Sequence, residues 1–154
     1  MAIDILIKNA LLRDSKGETT DIAISGGIVS EIRKGISAQA TETIDAGGNL
    51  VTESFVNGHL HLDKVYTLEK VGMDALNSYK SGSMGGAMTA IEQAAKVKEQ
   101  YEEGWVIENI RSALNLAVKF GNTHIRAFAD TDTKAKLVGV KAVLKAEKDF
   151  IDCL

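Results

Sequence analysis

The sequence predicts an α/β protein in which a small antiparallel sheet precedes parallel strands joined by helices. Three observations carry that expectation. Short alternating apolar runs separated by glycine-bearing turns fill residues 3–50. An apolar run then ends at His61, and beyond it the patterns read loop, helix, helix, strand, helix and a possible further strand at 150–154. Strands alternating with helices favour parallel pairing, because a parallel connection needs a crossover of a dozen or more residues.

In the first part, strand patterns cover residues 3–8, 9–12, 21–24, 28–32 and 43–45. Turns are marked by Asp14-Ser15-Lys16-Gly17, Ser25-Gly26-Gly27 and Ala46-Gly47-Gly48-Asn49. Ser25-Gly26-Gly27 predicts a hairpin, because glycine supplies the positive φ that tight hairpin turns require. The chain has no proline, so its loops turn on glycine, asparagine and aspartate.

Residues 66–88 lack periodicity and read as a long loop, in which Met73, Met84 and Met88 fill gaps or line a lid. Good helix formers mixed with apolar residues predict a helix over 89–101. A second follows Gly104, with Val106, Ile107, Ile110, Leu114 and Val118 at spacings of three and four, and stops at Phe120-Gly121. Residues 123–130 read as a strand, and 133–148 as a helix carrying Leu137, Val140, Val143 and Leu144 on its apolar side.

Composition bounds the partners. With 45% hydrophobic and 25% charged residues the chain has ordinary globular material for a core. A net charge of -3 gives no electrostatic reason to expect nucleic acid or an anionic membrane, while small neutral or basic ligands remain open. The single cysteine, Cys153, has no intrachain partner, which fits a reducing compartment; the N-terminus shows no long apolar stretch of a signal peptide, and a cytoplasmic location is expected.

Chemistry concentrates in Phe55-Val56-Asn57-Gly58-His59-Leu60-His61-Leu62-Asp63-Lys64. On a strand, His59 and His61 project from the same face and can share one metal ion. A strand anchored in a core preorganises such ligands, and its end admits water and substrate. The competing reading is a pair of strand-end polar residues that meet no ion.

Those residues, with the preceding Ile44-Asp45-Ala46-Gly47-Gly48-Asn49-Leu50-Val51-Thr52, resemble the amidohydrolase superfamily, and His59-Leu60-His61-Leu62-Asp63-Lys64 is similar to its cytosine deaminase branch, which includes aminohydrolases of N-alkylated triazines. The resemblance continues through Ala90-Ile91-Glu92, Gly121-Asn122-Thr123-His124-Ile125-Arg126 and Asp130-Thr131-Asp132. It implies a (β/α)₈ barrel beside a small β-sandwich, with residues 1–52 belonging to the sandwich sheet and 53–154 to the first strands and helices of an incomplete barrel. It also implies one zinc or iron ion that activates water against a ring carbon bearing an amino group, with ammonia or an amine leaving. His59 and His61 match two metal ligands; no other ligand or proton-transfer residue of the family has a counterpart here.

A barrel of this kind takes about 250 residues, so the chain is expected to be an N-terminal fragment without substantial activity of its own, completed by self-association into a homo-oligomer or by another chain. Asp63 and Lys64 are expected to orient the histidines or to contact a cyclic amine or amide substrate, with a surface ion pair as the alternative. Asp130 is a polar candidate at the mouth of the second strand. Phe128 stands where related sequences carry histidine, making an apolar wall toward substrate. Glu53-Ser54-Phe55 replaces the family's Pro-Gly-Phe. Arg126 is expected to be buried against a carboxylate, and His124 to be a structural strand residue.

Overall fold

The computed structural model describes residues 2–73, 77, 80 and 82–150. Cys153 and the possible strand beyond Phe150 lie outside the described residues. The chain forms two compact units, Met1–Glu53 and Ser54–Leu154.

The first unit is a four-stranded sheet made of β1 (Ile3–Leu11), β2 (Thr19–Ser25), β3 (Ile28–Arg33) and β4 (Ala40–Asp45), in the order β3-β2-β1-β4. β2 pairs antiparallel with β1 and with β3, but β4 lies parallel to β1, so the sheet is mixed and not antiparallel throughout. The six residues after β3 carry the chain across, and Ile36 within them is buried with Leu6 and Ala23. The buried Asp21 carboxylate accepts the backbone N–H groups of Asn9, at 3.1 Å, and Ile36, at 2.8 Å. The two strands expected over 3–12 are one: the ladder shifts between Ile7 and Ala10, where Asn9 takes φ 54°. The hairpin falls at Ser25-Gly26-Gly27, where Gly26 and Gly27 adopt φ 59° and 75°.

The second unit contains β5 (Phe55–His61), a 3₁₀ turn over Leu62–Lys64, α1 (Leu68–Val71), α2 (Met84–Val97), a 3₁₀ turn over Lys98–Gln100, α3 (Glu103–Lys119), β6 (Asn122–Phe128) and α4 (Val138–Phe150). β5 and β6 pair in parallel, with His61 opposite Phe128. Leu62, Val106, Ile107, Ile110, Leu114, Ala142 and Ala146 form the core beside them. The unit is thus an α/β arrangement around a two-stranded sheet. None of the described helices is long and apolar enough to cross a membrane.

Three expectations change here. Part of the loop expected over 66–88 is helical: α2 begins at Met84, where the Ser83 hydroxyl accepts the Gly86 N–H at 3.0 Å as an N-cap. Met84 and Met88 therefore stand on this helix, both exposed. The helix expected from 133 starts only at Val138, because the Asp132 carboxylate binds the N–H groups of Lys134 and Ala135 and holds a turn there. Its buried stripe is Gly139, Ala142 and Ala146, not the larger Leu137 and Leu144, which are exposed. Close approach to neighbouring elements selects small residues: a Cβ on Gly139 would lie 2.8 Å from Cβ of Asp63.

Candidate functional site

The ends of β5 and β6 bring the sequence's chemistry together. His59 and His61 sit two residues apart on β5, with ring centroids 5.2 Å apart and planes tilted by 50°. Phe128, the last residue of β6, stacks on His59 at 4.1 Å and 13°, which makes it a wall against the histidine pair. The Arg126 guanidinium lies 5.4 Å over the other ring of this stack, Phe128. Arg126 is exposed, contrary to the expected burial against a carboxylate, and what its guanidinium meets is the ring of Phe128, two residues on along the same strand face.

Asp63 follows directly in the 3₁₀ turn and is only 2% exposed. Its Oδ2 accepts the Asp130 backbone N–H at 3.1 Å, and burial pushes its carboxyl above the usual carboxylate range. A surface ion pair between Asp63 and Lys64 is not what forms. Lys64 instead reaches Asp130 Oδ2 at 2.7 Å. The same oxygen takes Nζ of Lys98 at 2.7 Å, and Lys98 also holds Asp132 at 2.7 Å. Hydrogen bonds from Lys64 and Lys98 bring Asp130 down to about 2, and the Lys98 contact brings Asp132 to about 2. Burial acts against the Lys98 charge, yet its two carboxylate partners outweigh it and raise the group above its ordinary value. The Tyr101 hydroxyl, desolvated nearby, is pushed up to about 12.

Lys98, Asp132 and Tyr101 were not singled out by the sequence as site residues. Lys98 reads as one more position on a helix, and no local pattern distinguishes a lysine that turns toward an aspartate 32 positions along the chain from one that faces water. His124 lies apart from the pair, its Nδ1 2.9 Å from the Thr123 hydroxyl, which in turn meets Ser54 at 2.6 Å.

The donor set can be tested for a metal. Metal–nitrogen bonds of about 2.0–2.1 Å at a roughly tetrahedral angle put two imidazole centroids about 5 Å apart, which the 5.2 Å separation matches. Among the described residues, however, no group of three or more histidine, cysteine, aspartate or glutamate side chains converges on one point. His59 and His61 fit as two donors of a site that needs more.

No family model matches the chain. It is 29% identical over 153 residues to N-isopropylammelide isopropyl amidohydrolase of Pseudomonas sp. strain ADP, covering 98% of this chain and 36% of that protein. It is 36% identical over 91 residues to L-hydantoinase of Paenarthrobacter aurescens, covering 58% of this chain and 20% of that protein. Among solved structures, 5-methylcytosine deaminase of Klebsiella pneumoniae with 5-fluorocytosine superposes with a TM-score of 0.72 at 24% identity, over 97% of this chain and 34% of that one. The chain thus spans about a third of the length of the first curated relative and of this structure.

Proposed function

We propose that this chain, which is similar to the N-terminal portion of amidohydrolase-superfamily proteins, supplies the first two metal ligands of a hydrolase acting on C–N bonds of a cyclic amine or amide, cytosine-like or aminotriazine-like. The observation that carries the reading is the His59–His61 pair, side by side at the end of a strand paired in parallel, in a chain alignable almost throughout with an enzyme named for isopropylammelide. Residues 53–154 are then the opening β/α units of a (β/α)₈ barrel, and residues 1–52 the sheet of a flanking sandwich. The compartment we propose is the cytoplasm.

His59 and His61 would hold a zinc or iron ion. When bound, such an ion supplies Lewis acidity that acidifies water near neutral pH. Phe128, stacked on His59, closes the apolar side of the pair. Asp130 and Lys64 place an ion pair at the same strand ends, within reach of a polar substituent, while the buried Asp63 accepts the Asp130 backbone N–H. With two donors and no proton-transfer carboxylate of the family, the 154 residues alone are proposed to lack substantial activity.

Zinc titration followed by histidine NMR signals tests the reading: the chain is expected to show coupled shifts of His59 and His61 that vanish in H59A and H61A. Unperturbed histidines at millimolar zinc would refute it. Release of ammonia or isopropylamine by the homogeneous chain would overturn the claim of inactivity.

A second reading has its own observation. Phe55, Val56 and Leu144 are 59%, 70% and 55% exposed beside a two-stranded sheet whose outer edges have no partner among the described residues. A non-catalytic α/β domain would cover them by self-association or by a complementing chain.

A further inference from the structure

Nδ1 of His61 is buried and has no hydrogen-bond partner, yet two carboxylate oxygens face it: Oδ1 of Asp130 at 3.4 Å and Oδ1 of Asp63 at 3.8 Å. The Asp63 oxygen is itself buried and unpartnered. A lone pair on Nδ1 would confront two acceptors, whereas an N–H there has two carboxylate oxygens within 3.8 Å to attract it. The neutral ring that suits these surroundings carries its proton on Nδ1 and its lone pair on Nε2.

The acceptors are themselves held in place. Oδ2 of Asp130 takes both Lys64 and Lys98 at 2.7 Å, so its Oδ1 is left toward the imidazole. The Asp130 N–H ties its backbone to Asp63, and Lys98, whose side chain is 14% exposed, has a second anchor in Asp132. Lys98 thus links the start of the 3₁₀ turn after α2 to the loop after β6. We propose that Lys98, with Lys64, is a positioning residue that holds Asp130 against His61, so that the Asp63–Asp130 pair fixes the Nδ1–H tautomer and leaves Nε2 for a divalent cation. The cation half of this inference rests on the proposed function; the tautomer half stands without it.

Long-range ¹H–¹⁵N spectra of the full chain at about pH 8.5, where imidazole is neutral, report the tautomer of each of the three histidines. His61 is expected as Nδ1–H, with K98M and D130N shifting it toward the mixture of a free imidazole and K98R restoring it. Zinc affinity, read from the same signals, is expected to fall about tenfold in K98M, at the low end of what lost ligand-orienting partners cost. Should K98M fail to fold by circular dichroism, D132N, which removes one of the two lysine anchors, is expected to shift the tautomer in the same direction by less. An Nε2–H tautomer in the unmodified chain, or an unmoved tautomer in folded K98M, overturns the inference. Zinc that perturbs no histidine while His61 stays Nδ1–H refutes the cation reading and leaves the positioning role intact.

Discussion

Gly139 is where the packing of the second unit meets its chemistry, and replacing it by alanine has a calculable outcome. Gly139 lies in the first turn of α4, and its missing Cβ would come 2.8 Å from Cβ of Asp63 and 3.5 Å from both Cγ and Oδ2. Helix propensity alone favours alanine by about 1 kcal/mol. Against that, the contact is with the root of a buried side chain and not with a flexible tip, and overpacking of this kind costs about 1–3 kcal/mol. The net expectation is a loss of up to about 2 kcal/mol. Gly104 in α3 is the reference, since a Cβ there meets nothing within 4 Å. Urea unfolding read from Trp105, the single tryptophan, reports on this unit, as its ring packs beside the core. At a slope of about 1–3 kcal/mol per molar, G139A should unfold roughly 1 M earlier than G104A with an unchanged slope. Displacing Asp63 should also disturb the Asp130 N–H bonded to it, visible as a shift of that amide signal. Equal midpoints for the two variants would show that α4 does not press on Asp63, and would refute the reasoning.

Other outcomes follow from the same geometry. Ile110, 0% exposed at the centre of the core, should lose about 2–5 kcal/mol as I110A, whereas V118A, at a 39% exposed position of the same helix, should stay close to neutral; matching midpoints in urea would contradict the assigned face. Asp21 is held below the usual carboxylate value by the N–H groups of Asn9 and then Ile36. Its contribution is complete above the ordinary carboxylate value near about 4 and disappears as pH falls through the lowered folded value. D21N should flatten that acid-side dependence of the first unit, followed by circular dichroism in urea; an unaltered slope refutes the assignment. If exposed Val56 and Leu144 drive self-association, light scattering should show V56E/L144E shifted to monomer, and a monomeric unmodified chain would remove that reading.

Much of the fold was legible because its signals are local. The hairpin at Ser25-Gly26-Gly27 needs only glycine's positive φ, and α3 announces itself through Ile107, Ile110 and Leu114 at helical spacing, all now buried. The parallel placement of β4 was not legible, since register and neighbour choice depend on what a strand meets and not on its own alternation. Nor was the buried stripe of α4, where side-chain size misleads: Leu144 looks like core, yet Gly139, Ala142 and Ala146 are what close contact admits. Asp63 offered three readings in sequence, orienting the histidines, contacting substrate or pairing at the surface, and its burial at 2% exposure removes the last.

By itself the sequence determined the histidine pair and its common face, because alternation along a strand is a property of the backbone and His59 and His61 are two residues apart. It also carried the change in character near residue 53 and the resemblance on which the chemistry proposed for the pair rests. Only the tertiary structure decided what surrounds that pair: Phe128 against His59, Asp130 between two lysines, and Lys98 brought from the end of α2. These contacts join residues up to 69 positions apart in the chain, as His59 and Phe128 are. Long-range proximity is set by the packing of helices on strands, and no local pattern encodes it.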